Sequence, residues 1–248
     1  MTQTPRDVPL TPDQLDELKA FDTPTISNAL ELLGFRERDR NEGILSARIQ
    51  SVFPHFPPMV GYAATLLFET RQPPRGKFQA DREDYWRYVL SAPKPTVTVG
   101  QDIDPAPAGG SLWGEVQANI HRALGCVGVV LEGAIRDLDP LEALHYPAFA
   151  REIVVGHAWA HIVDYGLPVT VGDVLVHPGD LIHADRHGVL VIPREAASQV
   201  AAGCRAIIDA ERPLIAVCQD AEHFSLERLS SAYRQFSKLY PTAKPQDP

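Results

Sequence analysis

The chain has 248 residues, of which 44% are hydrophobic, so it is long enough for one large or two small globular domains with a sizeable core. Its formal net charge of −9 at pH 7 provides no basic face, which excludes nucleic acid and anionic membranes as expected partners. The three cysteines are widely spaced, form no CxxC pair and predict no disulfide framework, which favours a cytoplasmic protein.

The first hundred residues alternate predicted helices and strands, with no signal peptide core and no apolar run long enough to span a membrane. In chain order the predicted elements are a loose leader at 1–10, helices that begin at Thr11 and at Asp22, a strand at 60–69, a helix at about 82–91 and a strand at 96–103. The second helix is expected to end at Gly34. The segment 71–95 is proline-rich at both ends and looks like an insertion.

The middle of the chain holds the residues that can carry chemistry. Gly109-Gly110-Ser111 predicts a tight turn that opens into a helix, with an apolar stripe packing on a sheet at Leu112, Val116, Ile120, Ala123 and Leu124. Glu115 points away from that stripe. The apolar run 127–131 predicts a buried strand, followed at its exit by Arg136 and Asp137 and then by a helix at about 141–144. These two acids and one arginine stand at the ends of adjacent elements, where they can converge on a small anionic substrate and a hard metal ion.

Each of these residues has a chemical and a structural interpretation. Arg136 can clamp a carboxylate or an enolate oxygen, and Asp137 can hold Mg²⁺ or Mn²⁺, but together they can also form a structural ion pair. Glu115 can position or deprotonate a water or a substrate hydroxyl, or it can be a solvated carboxylate on a helix surface. Backbone N–H groups of the glycine turn can bind a carboxylate, or the turn can be structural with Ser111 as the helix N-cap.

The C-terminal half changes character to short β-rich pieces between Gly-Asp and Pro-Gly-Asp turns, followed by helices from Arg194 onward. The predicted strands are 153–155, 168–171, 174–177, 181–184 and 189–192. Strand–helix–strand in the middle and hairpins after it predict one mixed α/β domain over residues 1–248, with 194–248 as a helical tail.

Five histidines are concentrated in this half, at positions 157, 161, 177, 183 and 187. On a strand, His183, Asp185 and His187 would share one face, which is a possible zinc site. The alternative is that residues 185–188 form a hairpin turn with Gly188 at positive φ.

These motifs together resemble the RraA-like family, which includes the 4-hydroxy-4-methyl-2-oxoglutarate aldolases, metal-dependent class II pyruvate aldolases. The spacing of Glu115, twenty intervening residues, Arg136 and Asp137 is similar to the acidic-x20-Arg-Asp signature of that family. The further stretches that match in order are Thr23-Pro24-Thr25-Ile26-Ser27-Asn28-Ala29-Leu30, Gly114-Glu115, Gly133-Ala134-Ile135-Arg136-Asp137, Pro147-Ala148-Phe149-Ala150-Arg151, Pro168-Val169-Thr170-Val171-Gly172, Pro178-Gly179-Asp180 and Ala184-Asp185-Arg186-His187-Gly188-Val189. The similarity covers about residues 20–193.

The resemblance implies a three-layer β/β/α swivelling-domain fold with additional C-terminal helices, assembled as a homotrimer or homohexamer with active sites between subunits. It implies that Asp137 holds a divalent metal, Mg²⁺ or Mn²⁺, largely through waters, and that Arg136 binds substrate and stabilises the pyruvate enolate. Glu115 corresponds to the acid that orients a water acting as base. Backbone N–H groups from Gly110 through Ser111 and Leu112 to Trp113 would receive a substrate carboxylate, and Trp113 would pack and wall the pocket.

The expected reaction is a retro-aldol cleavage of a 4-hydroxy-2-oxo acid. A base linked to Glu115 removes the C4 hydroxyl proton, the C3–C4 bond breaks, and Arg136 with the metal stabilises the enolate that becomes pyruvate. The same chemistry would decarboxylate oxaloacetate.

Two other functions are considered. Some relatives regulate RNA-processing enzymes by protein contact, and a different lyase or hydrolase could use the same metal-enolate site. The completeness of the Glu115, Arg136 and Asp137 set favours catalysis. Methyl transfer is excluded because no glycine-rich nucleotide motif follows an early strand.

Overall fold

A computed structural model describes residues 9–37, 41–74 and 80–239; the predicted leader, part of segment 71–95 and the end of the tail lie partly outside them. The helices are α1 (Pro12–Leu18), α2 (Thr23–Leu32), α3 (Arg82–Ser91), α4 (Glu115–Ala123), α5 (Leu138–Ala143), α6 (Ala197–Gln219) and α7 (Leu226–Phe236). The strands are β1 (Gln50–Ser51), β2 (Met59–Glu69), β3 (Thr96–Asp102), β4 (Ser111–Trp113), β5 (Cys126–Ile135), β6 (Ala148–Ile153), β7 (His161–Tyr165), β8 (Val169–Val171), β9 (Val174–Val176), β10 (Leu181–Asp185) and β11 (Gly188–Ile192).

A nine-stranded mixed sheet forms the centre of the fold, in the order β1-β6-β5-β3-β2-β10-β11. The β2–β3, β3–β5 and β5–β6 pairs are parallel, and β10 joins β2 in the antiparallel sense. β4 adds to β5 and β7 adds to β2, while β8 and β9 form a separate two-stranded sheet. Parallel central strands place the ends of β3 and β5 at the same edge, which is where the candidate site lies.

Successive side chains of β2 point to opposite faces of the large sheet. Val60, Tyr62, Leu66 and Phe68 face a layer of helices, because they belong to the core clusters that contain residues of α1–α6. Met59 and Ala63 lie on the opposite face, in a cluster with the valines of β8 and β9. The layers are therefore small sheet, large sheet and helices, which confirms the predicted β/β/α architecture.

Most elements predicted in the first hundred residues are confirmed. Thr11 and Asp22 cap α1 and α2 through side-chain oxygens, α3 coincides with 82–91, and β2 and β3 match their predicted ranges within one residue. Within segment 71–95, α3 buries Tyr85 and Val89 in the same core cluster as Trp113. The helix of this segment is therefore part of the hydrophobic core.

Several boundaries in the second half were wrong. The strand expected at 153–155 is β6 at 148–153, β7 was not predicted, and α5 begins at Leu138 rather than near residue 141. The apolar stripe assigned to α4 was also wrong: Val116 is 70% exposed, and the buried residues of this helix are Ala118 and His121.

The helical tail predicted after Arg194 is confirmed by α6 and α7. α6 runs for 23 residues and packs against α2 through its first half, where Val200, Cys204 and Ile207 are buried. α7 has no buried residue and contacts α6. Among the helices of the described residues, none has the length and apolarity that crossing a membrane requires.

A buried glutamate joins the small sheet to the large one. Glu132 of β5 is 6% exposed and accepts hydrogen bonds from Arg48 Nε at 2.9 Å, Arg151 Nη1 at 3.2 Å and the Gly172 N–H at 2.6 Å. Arg48 continues the network to Asp173 in the β8–β9 turn at 2.5 Å. Because a buried carboxylate needs compensation by charge and hydrogen bonds, these contacts fix β5 just before it reaches the site.

Replacing Glu132 with Gln is expected to lower the free energy of unfolding by about 2–4 kcal/mol, since two arginines lose their shared carboxylate inside the fold. Asp173→Asn is the matched control, because Asp173 binds the same arginine from the solvent side and Asn tolerates its positive φ. Urea unfolding of both variants measures the difference. A loss for Glu132→Gln no larger than that for Asp173→Asn would contradict this role.

Candidate active site

Arg136 and Asp137 directly follow the last residue of β5, which β4 and β6 flank on its two sides. The Arg136 N–H donates to the Trp113 carbonyl of β4 at 3.1 Å, so the backbone of the pair is fixed by the neighbouring strand. The two side chains are 35% and 33% exposed, and Arg136 Nε lies 3.7 Å from Asp137 Oδ2. This distance is longer than a hydrogen bond, which leaves both groups able to contact a ligand.

The start of α4 meets the end of β5 at the Asp137 carboxylate. Asp137 has a left-handed backbone conformation, with φ 59° and ψ 52°, which Asp and Asn adopt more readily than other side chains. The Glu115 N–H donates to its Oδ2 at 3.0 Å. Gly114 provides the necessary space, since a Cβ at that position would collide with the same oxygen. The predicted trio is thus brought together, with the Glu115 side chain itself exposed.

A pocket of about 240 Å³ opens beside Arg136 and Asp137. Its other lining residues, from β4, the start of α4 and the loop after β6, are Ser111, Leu112, Gly114, Val116, Gln117, His157 and Ala160. The Glu115 side chain does not line it. Larger hollows of about 510–590 Å³ elsewhere on the described surface contain none of the three predicted residues, so chemistry and not size identifies this pocket.

The glycine turn does not open into a helix, which corrects the prediction for this segment. Residues 111–113 form β4 and pair with the end of β5. The Ser111 hydroxyl contacts the carbonyls of Trp113 and Ala134 at 2.6 and 3.0 Å, so it does not cap a helix. The N-cap of α4 is Gly114, which makes no side-chain hydrogen bond. The Gly109-Gly110 sequence therefore does not provide the predicted anion-binding site at a helix N-terminus.

Two of the four N–H groups predicted to receive a carboxylate are already engaged. The Ser111 N–H donates to the Gly156 carbonyl at 3.0 Å, and the Trp113 N–H donates to the Ser111 hydroxyl at 3.1 Å. The Trp113 side chain is 1% exposed and its ring lies 4.3 Å from that of His121, so it belongs to the core and not to the pocket wall. Carboxylate binding by Gly110 and Leu112 stays a prediction.

The loop before the Gly-Gly sequence is held by two buried carboxylates that the sequence analysis missed. Asp102 accepts the N–H groups of Asp104 and Ala108 at 3.0 and 2.8 Å, and Asp104 accepts those of Thr70 and Arg71 at 2.7 and 2.9 Å. Burial raises the pKa of Asp102 to about 6, so it is ionised at neutral pH and able to accept both bonds. An Asp-x-Asp-Pro sequence at a strand exit was the available signal.

Asp137 is suited to bind a hard divalent cation that keeps most of its waters, but not to form a site in which protein side chains supply every ligand. Its Oδ2 accepts one backbone N–H, whereas Oδ1 has no hydrogen bond within the described residues. No group of three or more His, Cys, Asp or Glu side chains that could bind a metal occurs in the described part of the chain. A single carboxylate fits Mg²⁺ or Mn²⁺, which retain several waters, and does not fit structural zinc.

The histidines of the β10–β11 hairpin form a structural network. His183 is fully buried, with Nδ1 3.0 Å from the Thr23 hydroxyl and Nε2 3.2 Å from the Leu18 carbonyl, and burial lowers its pKa. Since a carbonyl only accepts, Nε2 carries the proton. Asp185 pairs with Gly188, whose φ is 136°, across the predicted hairpin turn. The hairpin interpretation is confirmed and the zinc interpretation has no support.

Comparison with known proteins identifies the same family that the motifs resemble. The profile of the RraA-like family, described as Aldolase/RraA, matches residues 23–191. A protein of Halalkalibacterium halodurans provisionally named 4-hydroxy-4-methyl-2-oxoglutarate aldolase is 37% identical over 85 residues, covering 34% of this chain and 40% of the relative. Protein DlpA of Legionella pneumophila is 27% identical over 191 residues, 76% of this chain and 29% of its own length. The match thus covers less than half of either relative.

Solved structures show the same fold. An uncharacterised protein of Pseudomonas syringae pv. tomato superposes with a TM-score of 0.71 at 26% identity, covering 91% of this chain and 96% of that one. RraAS2 of Streptomyces coelicolor, described as an unusual member of the RNase ES inhibitor RraA family, superposes with a TM-score of 0.63 at 23% identity, covering 83% and 96%.

Proposed function

Because the chain belongs to the RraA-like family, we propose that it is a divalent-metal-dependent lyase that cleaves a 4-hydroxy-2-oxo acid and releases pyruvate. The observation that carries the proposal is that Arg136 and Asp137 stand side by side at the end of β5 and line the same small pocket. Gly114 has no Cβ, and a Cβ at that position would collide with the Asp137 carboxylate. Relatives provisionally named as aldolases support the reaction class.

Arg136 supplies the fixed positive charge for the reaction. The C3–C4 bond breaks when the C4 hydroxyl loses its proton, and the electron pair moves onto the pyruvyl fragment as an enolate. Arg136 lines the pocket and would lie beside the oxygen that becomes negative, and a guanidinium is a permanent positive charge. Charge that develops in the transition state is therefore stabilised by a group already in place. Protonation of C3 then gives pyruvate.

Asp137 would hold the metal, Mg²⁺ or Mn²⁺, through the carboxylate oxygen that its backbone contacts leave free. When bound, such a cation supplies Lewis-acid polarisation of the substrate carbonyl. Asp137 itself is oriented by the Glu115 N–H, so loss of its carboxylate would disturb the join between α4 and β5 as well as the charge of the site.

Glu115 has an exposed side chain at the start of α4, so we assign it an indirect role through a water. That water would take up the hydroxyl proton or supply a proton to the enolate carbon. Both proton transfers are needed to complete turnover.

The proposed assembly is a homotrimer or homohexamer with sites between subunits, with the neighbouring subunit supplying a further acid. Exposed apolar side chains support this: Val116 in the pocket lining is 70% exposed, and Ile153, Val155 and Trp159, at the end of β6 and in the loop after it, are 60%, 94% and 58% exposed. Large apolar side chains left exposed in this way are typical of a surface that a partner covers.

Oxaloacetate decarboxylation is the expected side activity, because it produces the same pyruvate enolate. A regulator of an RNA-processing enzyme is the competing function, since RraAS2 belongs to a family of RNase ES inhibitors. The pairing of Arg136 with Asp137 in a pocket favours the enzyme, since a protein-binding surface needs no such pair.

Chelator-stripped protein is expected to release no pyruvate from a 4-hydroxy-2-oxo diacid or from oxaloacetate, and Mg²⁺ or Mn²⁺ should restore release from both. A lactate dehydrogenase-coupled assay measures the rate, with the Arg136→Ala variant as the background control. Absence of release under either metal from an intact oligomer would refute the lyase and favour the regulator.

A further inference from the structure

His157 stands on the wall of the pocket that also contains Arg136 and Asp137. Of the polar residues that line this pocket, Arg136 has no acceptor, and Ser111 is 2% exposed with its hydroxyl bonded to main-chain groups. The Gln117 side chain is an amide and does not act as a base. The basic lining groups are therefore Asp137, which the proposed function assigns to the metal, and His157.

The tautomer of His157 is fixed by a local hydrogen bond. Its Nδ1 lies 2.7 Å from the Ala158 carbonyl oxygen. A carbonyl can only accept, so Nδ1 carries the proton and, in the neutral ring, Nε2 keeps its lone pair. No hydrogen bond to Nε2 exists within the described residues. A histidine base oriented at one nitrogen by a third group, with the other nitrogen free to take a proton, is the recurring arrangement of general bases.

The loop that carries His157 is hydrogen-bonded to the glycine turn and to Thr70. The Gly156 carbonyl accepts the Ser111 N–H at 3.0 Å, and the Trp159 N–H donates to the Thr70 carbonyl at 2.9 Å. A Cβ on Gly110 would lie 2.8 Å from the His157 carbonyl oxygen, so this glycine is required for the loop to pack.

The backbone around the pocket is held in unfavourable conformations. Ala158, next to His157, has φ 48°, and Asp137 has φ 59°. Two of the five non-glycine residues with positive φ in the described chain are thus in the pocket lining or next to it. Such strain persists where the surrounding structure holds a functional group in position.

We propose that His157 is the general base of the lyase, accepting the C4 hydroxyl proton of the substrate on Nε2. The proposal rests on the proposed function. As the O–H bond breaks and the proton passes to Nε2, the oxygen electron pair forms the aldehyde or ketone and the C3–C4 pair becomes the enolate. The water held by Glu115 then protonates C3 and becomes hydroxide, and the proton that the imidazolium releases through solvent converts this hydroxide back to water. Balance requires no oxidant, reductant or further reactant.

A comparison of two substrates distinguishes the deprotonation of the hydroxyl group from the later steps of the reaction. A 4-hydroxy-2-oxo diacid needs removal of a hydroxyl proton, whereas oxaloacetate reaches the same enolate by losing CO₂ and has no hydroxyl to deprotonate. The metal-loaded full chain is compared as wild type, His157→Asn, His157→Gln and Glu115→Gln. His157→Asn retains an N–H for the Ala158 carbonyl and His157→Gln places an amide near Nε2, yet neither is basic. His177→Gln is the control, an exposed histidine outside the pocket.

The two His157 variants are expected to lower kcat for the hydroxy diacid by about 10²–10⁴ and to leave oxaloacetate decarboxylation nearly unchanged. Glu115→Gln should lower both rates, because both need the enolate protonated. If the His157 variants lower neither rate, or lower both equally, His157 is not the base, although the lyase stands. If the wild type acts on neither substrate, the proposed function fails and this proposal fails with it.

A second measurement does not depend on turnover. Long-range ¹H–¹⁵N correlation of the imidazoles, with His157→Asn to assign the resonance, reports which ring nitrogen is protonated. The Nδ1–H tautomer is expected. A dominant Nε2–H tautomer would overturn the proposal, because the remaining lone pair would then not be on the free nitrogen.

Discussion

Replacing Arg136 with Ala is expected to reduce the rate of pyruvate release by about 10²–10⁴, the usual cost of removing a charge that stabilises a transition state. The backbone position should survive the change, since its contact to the Trp113 carbonyl is made by the main chain. The loss should therefore be in kcat, with little effect on the unfolding midpoint. Steady-state kinetics with the hydroxy diacid and with oxaloacetate measures it, and both rates should fall because both reactions form the enolate.

Arg136→Lys tests whether geometry matters as well as charge. Lysine retains the charge but not the planar fork, so an intermediate rate is expected. Arg87→Ala is the control, because Arg87 is 70% exposed on α3, where it pairs with Glu83 and Asp84 of its own helix. Wild-type rates for Arg136→Ala would exclude the guanidinium from catalysis and leave the pair with Asp137 as a structural contact.

The convergence of Glu115, Arg136 and Asp137 could be predicted from spacing. Twenty intervening residues accommodate one helix leading away and one strand returning, and the structure contains α4 and β5 over that interval. The end of a strand is a local feature, and an apolar run followed by Arg-Asp predicts it from the sequence. The interaction that joins the two ends, from the Glu115 N–H to Asp137, also needs only these two elements.

What could not be predicted depends on contacts distant in sequence. β4 has three residues and exists because Ser111 pairs with Ala134 of β5, so its own sequence is too short to show a strand period. The helical stripe failed for a related reason: α4 packs through Ala118 and His121, and the Tyr85 hydroxyl of α3 lies 2.7 Å from His121 Nε2. A partly apolar stripe on a short helix does not reveal which neighbour covers it.

His157 is the clearest case of a pocket residue that sequence alone does not identify. It was one of five histidines in a β-rich region, and nothing local distinguishes it from the structural His183. Its position comes from the packing of Gly110 and from the bond between the Ser111 N–H and Gly156, both made across more than forty residues. Loops acquire their functional geometry from the scaffold that holds them.

Asp137→Asn is expected to reduce turnover by about as much as Asp137→Ala, in the range 10²–10⁴, while preserving the fold. Asn accepts the left-handed conformation, and its side-chain oxygen can still receive the Glu115 N–H, so only the charge is removed. Asp137→Ala loses that bond and has a side chain disfavoured at φ 59°, and its unfolding midpoint should be lower than that of Asp137→Asn.

The comparison of the two Asp137 variants separates catalysis from stability. Titration of each chelator-stripped protein with Mn²⁺, followed by electron paramagnetic resonance, should show weakened binding in both, because an uncharged amide is a poorer ligand for a hard cation. Asp139→Asn, which alters an exposed acid two residues away in α5, controls for a general change in charge. If Asp137→Asn binds Mn²⁺ as the wild type does and turns over at the wild-type rate, Asp137 serves only to join α4 to β5, and any metal that turnover requires must be held elsewhere.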